Sequence, residues 1–555
     1  MSRSEPAVAG SARSRLPAWQ ALRARAADMQ RRHLRDLWQP PGRAAALSRR
    51  AGPLLLDFSK QRLCPDDLAA LLVLADDCGL SAAITELMAG APVNNTEGRP
   101  ALHTALRAAA DEVVLVDGRN VIPDVQASLA RMEEMVQRIH SRQWRGYSGK
   151  PIRDVVNIGV GGSDLGPFMA CNALGEFAPA AARDLRLHFV SSIDGTQIAD
   201  LLGALQPDTT LFIVSSKSFT TVDTLSNART ALQWMLEDTG DEELTLRHHF
   251  IGVSARPERM SEWGIPAANQ IAFWEWVGGR FSLWSAIGLP VALQLGMDGF
   301  RDMLAGARFM DAHFREAPLA DNLPVLLGLV GVWNATFLDI RAHTVLPYDG
   351  RLKFFPAYLT QLEMESNGKS VSRAGEALDY RTCPVLWGDV GPNAQHAFYQ
   401  LLHQGTQAVS SDFIAPVRRY DAHRQTQDLQ VQHQLALANC LAQSRVLMLG
   451  DACVDNAEAA PGFRRYRGNQ PSTTLLVDEL TPWTLGALVA LYEHKVYVMS
   501  VIWDINPFDQ WGVELGKQIA DKTYLALQVG QAADFDDSTL ALLAHIQAAG
   551  KGGPT

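Results

Sequence analysis

Gln361 and Glu365 in the run QLEMESNGKS stand four residues apart, and the Asn367-Gly368 pair behind them is a helix stop. A helix over this run puts both side chains on one face, with Glu365 in the last turn. A carboxylate at the negative end of a helix dipole is mildly destabilised as an anion, which favours accepting a proton. Taken alone, such a glutamate is equally an ordinary solvated residue near a helix end. Three further segments carry groups that suit proton transfer. EWVGGRFSLWSAIG sets Arg280 behind two glycines, which allow close backbone approach to a ligand and leave a guanidinium to hold an oxyanion. GPNAQHAFYQLLHQGT holds His396 among small residues and turn formers ahead of a helix. FDQWGVELGKQ spaces Gln510 and Lys517 seven apart, so that one helix face carries both.

Two segments suit a phosphate. NIGVGGSDLGP, from Asn157, reads as a strand, a glycine-rich turn and a helix start, which exposes backbone N–H groups beside a positive helix end. The dinucleotide fingerprint fails there, because Asp164 occupies the position of its third glycine. SSKSFTT, Ser215 to Thr221, concentrates hydroxyls, a lysine and free N–H groups between another strand and another helix. A polar Ser/Thr helix cap reads the same way. If the two strands are parallel neighbours, their C-terminal ends share one sheet edge, and a phosphate fits between Ser163 and the group Ser216, Lys217, Ser218 and Thr221.

The elements that must position these groups follow from the rhythm of the chain. VVNIGVGG, LRLHFVSSI, TLFIVSSKS and HHFIGVSA are short β-rich runs separated by helical stretches such as TQIADLLGAL and TTVDTLSNARTALQWMLED. That alternation predicts βαβ units and a parallel sheet covered on both faces. After Pro290 the pattern is mostly helical, with strands expected at TVLPY, SRVLMLG and STTLLVD. Residues 1 to about 120 read as helical, starting with LPAWQALRARAADMQ, and the stretch after Gly512 reads as helical before a GKGGPT tail. The expected division is 1–121 as helices packing on the larger domain, 122–290 and 291–510 as two α/β domains, and 511–555 as a C-terminal helical arm.

Composition narrows the class. With 47% hydrophobic and 20% charged residues in 555, the chain is an ordinary globular one, and a formal net charge of -10 argues against nucleic acid or an anionic membrane as partner. Cys64, Cys78, Cys171, Cys383, Cys440 and Cys453 form no C-x-x-C or zinc-type spacing, which reads as free thiols in a reducing cytoplasm. LPVLLGLVGVW and LWSAIGLPVALQL are too short or broken to span a bilayer. The arginine-rich first 35 residues lack the apolar core of a secretory signal.

In order, GVGGSDLGP, SSKSFTT, EWVGGRFSLWSAIG, QLEMESNGK, GPNAQHAFYQLLHQGT and FDQWGVELGK closely resemble the glucose-6-phosphate isomerase family, over about Asn94 to Lys517. The resemblance implies two sugar-isomerase-type three-layer αβα domains with mainly parallel sheets, homodimers with shared active sites, a sugar phosphate substrate, and no cofactor or metal. It implies reversible interconversion of glucose 6-phosphate and fructose 6-phosphate. Glu365 would move the proton between carbon-2 and carbon-1, His396 with Lys517 would open the ring, and Arg280 would stabilise the enediolate. Gly162, Ser163, Ser216, Lys217, Ser218, Thr221, Gly279, Gln361 and Gln510 would bind the substrate. The chain departs from the family pattern at Ser218 (usually threonine), Ser192 (usually asparagine), Asp223 (usually a glutamate that orients the histidine) and Asp389, Val390, Pro392 and Ala394 before His396. Ser218 keeps the hydroxyl; the others bear on loop geometry. A non-catalytic sugar-phosphate sensor of the same fold is the alternative, and it has no need of Glu365, His396 and Lys517 together.

Overall fold

Gly52, with a φ of +51°, turns the chain between β1 (Ser48–Ala51) and β2 (Leu54–Asp57), within a segment that the sequence reads as helical. The computed structural model describes residues 11–38, 41–419, 426–454, 460–529 and 534–551. The first helix, Pro17–Met29, lies where the apolar spacing puts it. The β1–β2 hairpin corrects the all-helical reading. Its RRAGPLLLD run buries Leu54 and Leu56 on one face in period two, but is too short for that period to stand out. A second small hairpin joins β3 (Leu115–Val116) to β4 (Arg119–Asn120).

The chain divides into two compact units, Met1–Pro507 and Phe508–Thr555. Within the first, β5 (Asp154–Ile158), β6 (Arg186–Val190), β7 (Thr210–Ser215), β8 (Phe250–Ser254) and β9 (Gln270–Ala272) form a wholly parallel sheet in the order β6-β5-β7-β8-β9. Every residue of β5, β7 and β8 is buried, as expected of strands covered on both faces. From β5 the chain moves outward to β6, then crosses back to β7 on the other side. The loops after β5 and β7 therefore meet at the sheet's switch point.

The second sheet repeats this winding. β10 (Ala342–Pro347), β11 (Val385–Gly388), β12 (Ser410–Arg418) and β13 (Ser472–Glu479) are parallel, and the order is β1-β2-β13-β12-β10-β11, with β2 antiparallel on β13. TVLPY and STTLLVD lie in strands β10 and β13, whereas SRVLMLG is the end of the helix Gln427–Leu449. Cys440, Ser444, Leu447 and Met448 are the buried positions of that helix, a stripe of helical spacing that a short apolar window conceals.

One core helix, Pro482–Trp503, is apolar and long enough to cross a membrane, yet 94% of its most apolar window is buried inside the fold. It carries three consecutive ionisable residues, and each has a buried partner: Glu493 with Arg107 at 2.6 Å, His494 with Asp311 at 2.7 Å, and Lys495 with Glu363 at 2.8 Å. Burial alone would strip the Lys495 charge, but the carboxylates of Glu363 and Asp412 hold its pKa above the ordinary lysine value. All six cysteines are free thiols.

The second unit holds the helices Glu514–Val529 and Asp537–Lys551 behind a 3-10 turn, Trp511–Val513. Gln510 precedes that turn with non-helical backbone angles (φ −148°, ψ 46°), so Gln510 and Lys517 do not share a helix face as their spacing suggested. Gly512 in the intervening turn lowers helix propensity there.

Candidate active site

The loop after β5 is pressed against the arginine segment so closely that it must be glycine. A Cβ on Gly162 would stand 2.0 Å from the Gly279 carbonyl oxygen and 2.7 Å from the Arg280 nitrogen. Gly161 has a φ of +59°, and a Cβ there would reach within 3.0 Å of the Gln361 amide nitrogen. Thus three segments far apart in sequence, Gly159–Ser163, Gly279–Arg280 and the Gln361 face of a helix, converge on one edge of the first sheet.

That helix spans Phe355–Asn367 and ends at Gly368, as the Asn-Gly stop requires, with Glu365 in its last turn. Gln361 Nε2 donates to Glu365 Oε2 at 2.8 Å, and Arg280 Nη1 lies 3.3 Å from Glu365 Oε1. The Glu365 side chain keeps 25% of its exposure while that of Arg280 keeps 2%. Arg280 is clamped behind it: Nε donates to Ser366 Oγ at 2.6 Å and Nη2 to the Pro507 carbonyl. A fixed guanidinium therefore faces a carboxylate that substrate can still reach. The opposite side of the helix is tied into the core through Glu363 and through Asn367 Nδ2, which donates to the Val496 carbonyl at 3.1 Å.

The arginine loop has its own anchor. Trp284, at the end of the 3-10 segment Gly279–Trp284, donates from Nε1 to Glu493 Oε1 at 2.7 Å, and the Arg107 guanidinium lies 4.6 Å over its ring. Arg107 in turn grips Asp311 with two hydrogen bonds of 2.6 and 2.7 Å. Burial would raise the Asp311 carboxyl, but Arg107 and His494 hold it far below the ordinary carboxylate range.

The hydroxyl segment after β7 forms a tight turn beside the glycine loop. Ser216 Oγ bonds Thr221 Oγ1 at 3.1 Å and accepts from the Phe219 N–H at 3.1 Å, while Thr220 donates to Ser218 Oγ at 2.8 Å. Phe219 holds a φ of +52°, unusual for a bulky residue, at the centre of this turn. The two loops are adjacent because β5 pairs with β7: Ser215 Oγ donates to Asn157 Oδ1 at 2.8 Å. Lys217 does not present its ammonium to this turn. Nζ donates to the Glu275 and Val277 carbonyls, each at 2.8 Å, so the side chain braces the turn against the arginine segment, while the Lys217 carbonyl accepts from the Ala255 N–H at 3.1 Å and from Ser254 Oγ at 3.0 Å. Burial and the nearby Arg99 bring its pKa down to about 8, against the pull of Glu275.

Glu365, Arg280, Gln361, Gly162 and Gly279 are thus brought together, with Ser163, Ser216, Ser218 and Thr221 on the adjoining loops. His396 is exposed on the short helix Gly391–Ala397, and no hydrogen bond or ion pair joins it to Glu365, Arg280 or Asp223 among the described residues. Lys517 belongs to the second unit, exposed and paired with Glu514 at 3.0 Å, and Gln510 belongs to the same unit. Sequence reasoning passed over Ser366, Glu275 and the Arg107–Asp311–Glu493–Trp284 set. Ser366 stands inside the MESNG run; for the others, the signal is only that charged residues sit in apolar surroundings.

The phosphoglucose isomerase family model matches residues 57–543. A glucose-6-phosphate isomerase 2 of Chromohalobacter salexigens is 59% identical over 543 residues, covering 95% of this chain and 96% of that protein. A glucose-6-phosphate isomerase of Psychrobacter cryohalolentis is 58% identical over 538 residues, covering 95% and 96% respectively. Among solved structures, a glucose-6-phosphate isomerase from Chlamydia trachomatis superposes with a TM-score of 0.83 at 30% identity, covering 97% of this chain and 100% of that one. A clamped arginine facing a reachable glutamate beside a hydroxyl-lined loop is thus found in a chain that matches these relatives over nearly its whole length, and the chain belongs to the phosphoglucose isomerase family.

Proposed function

We propose that Glu365 is the base and Arg280 the oxyanion holder of a reversible aldose–ketose isomerisation between glucose 6-phosphate and fructose 6-phosphate. The observation that carries this is the pair itself: a part-exposed carboxylate at a helix end, 3.3 Å from a guanidinium that is 2% exposed. Abstraction of the carbon-2 proton by Glu365 leaves negative charge on the sugar oxygens. A fixed cation stabilises that charge without reorganising during the reaction. Return of the proton to carbon-1 completes the aldose-to-ketose direction. Gln361 orients the carboxylate from one helical turn away. The phosphate binds to the Ser163, Ser216, Ser218 and Thr221 hydroxyls and the Lys217 backbone N–H, with Gly162 and Gly279 letting substrate approach the main chain. Binding energy at this distal end positions the reacting carbons.

By resemblance to the family, His396 with Lys517 opens the sugar ring and Gln510 shares the phosphate grip. His396 has no tie to Glu365 within the described chain, which supports a homodimer whose sites are shared. The two sheets support domains at 122–290 and 291–510, with 1–121 on the larger and 511–555 as an arm. Six free thiols support the reducing cytoplasm as its compartment. Protein groups alone suffice for these proton transfers, so no cofactor or metal is proposed.

The test is isomerisation of fructose 6-phosphate by the purified protein in chelator, with solvent-deuterium incorporation at carbon-2 as a second readout. Glu365→Gln keeps the shape and removes the basic oxygen, so kcat should fall by about 10²–10⁴-fold and exchange should vanish with it. Exchange at the wild-type rate in that variant would show that another group is the base.

A further inference from the structure

The hydroxyl turn at 216–221 is held from behind by the loop after β8. That strand lies beside β7 in the parallel sheet, so the loops that follow the two strands are neighbours. The β8 loop takes up the carbonyls of the turn one after another. The Lys217 carbonyl accepts from the Ala255 N–H and from Ser254 Oγ, and the Ser218 carbonyl accepts from Arg259 Nη1 at 2.7 Å. A trans peptide points its N–H opposite to its carbonyl. Holding these two carbonyls at the back therefore turns the Ser218 and Phe219 N–H groups toward the other side of the turn.

The peptide that Arg259 grips starts a chain of donors. The Phe219 N–H donates to Ser216 Oγ at 3.1 Å, and Thr221 Oγ1 lies 3.1 Å from the same oxygen. A hydroxyl has one proton to give and two lone pairs to fill. With Phe219 and Thr221 donating to Ser216 Oγ, its proton is left for an anion. Hydrogen bonds in series polarise one another, and a cation at the head of the series strengthens those behind it. Ser216 and Phe219 are 2% and 3% exposed, so the series is shielded from water. It also leads into the one residue of the turn with a strained backbone, Phe219 at a φ of +52°, which needs a hold from outside.

Arg259 is half-buried on the short helix Pro257–Glu262 and forms no ion pair among the described residues, so its charge is not spent elsewhere. Arg256, three residues earlier, is exposed and pairs instead with Glu275 at 2.9 Å. Taking the hydroxyl turn as the phosphate site proposed above, we infer that Arg259 is a positioning residue for the substrate's phosphoryl group. Its guanidinium holds the peptide between Ser218 and Phe219 so that the Ser216 hydroxyl presents its proton to the anion.

The test measures binding of inorganic phosphate to the intact protein by calorimetry, alongside kcat and KM for fructose 6-phosphate. Arg259→Gln should raise the phosphate Kd and the KM together by about tenfold, and lower kcat by much less. Arg259→Lys, which keeps a charge and a donor, should stay within about threefold of wild type. Arg256→Gln removes the same charge from the same loop and should shift both constants by less than about twofold. Ser216→Ala should weaken phosphate by about tenfold, and Arg259→Gln added to it should cost little more, because the series is already broken. Wild-type constants in Arg259→Gln, equal losses in the two arginine variants, or full additivity with Ser216→Ala would overturn the role. Phosphate binding is read without turnover, so it tests Arg259 separately from the isomerisation. Wild-type phosphate binding in Ser216→Ala would overturn the cradle and the role of Arg259 together; a loss in Ser216→Ala with none in Arg259→Gln would overturn the role of Arg259 alone.

Discussion

Asp164, directly after Ser163, is 8% exposed and one of its carboxylate oxygens has no hydrogen-bond partner in the fold. Burial pushes its pKa up to about 6, against the pull of the Ser191 hydroxyl. An acid whose folded pKa exceeds its unfolded value of about 3.9 binds its proton more tightly when folded. Its contribution is most favourable in the protonated form and is lost as pH rises from about 4 to 6. Asp164→Asn should therefore stabilise the protein at pH 7 by on the order of 2 kcal/mol, an apparent Tm gain of about 2 °C in a chain of this size. The gain should shrink toward zero near pH 4. A gain of equal size at both pH values would assign the effect to packing instead. At this scale the sequence was most legible where chemistry and local geometry coincide. Glu365, Gln361 and Arg280 lie in short motifs whose helix stop or glycines dictate the backbone. The sequence places Lys217 beside the phosphate cradle, but nothing local reveals that the Glu275 and Val277 carbonyls take its ammonium.

Between elements, the Phe355–Asn367 helix depends on its buried face as much as on its catalytic one. Glu363 and Lys495 each keep only 2% of their side-chain exposure, and their pair locks this helix to the core helix Pro482–Trp503. Removing one member strands a buried charge at a cost of about 3–5 kcal/mol. Lys495→Met should accordingly lower Tm, and should lower kcat by displacing Glu365 two residues away, with little change in KM. Glu363→Gln added to Lys495→Met removes the stranded charge and should recover most of both losses. A wild-type kcat in Lys495→Met would show that the pair serves stability without positioning Glu365. Such pairs escape a sequence reading because their partners are far apart: Arg107 meets Glu493 across 386 positions. Strand periodicity fails for a related reason. β5, β7 and β8 read clearly because they are short β-rich runs between turns, whereas SRVLMLG looks alike but continues an uninterrupted helix. Only the preceding residues from Gln427 tell them apart.

For the whole molecule the open matter is where His396 acts. It is exposed on its short helix and has no hydrogen bond or ion pair to Glu365 within the described chain, whereas Glu365 and Arg280 are already in place. If each site takes Glu365 from one subunit and His396 from the partner, two inactive proteins can complement each other. In a mixed dimer of Glu365→Gln and His396→Ala, one site receives both defects and the other receives neither. Random reassembly gives half mixed dimers, each with one intact site, so about a quarter of wild-type activity on the cyclic substrate should return. If both groups act within one chain, every site keeps one defect and mixing restores nothing. Unfolding and refolding the two variants together, and separately as controls, then assaying equal total protein, distinguishes the cases. Activity no greater than the average of the separately refolded variants would place both groups of a site in a single subunit.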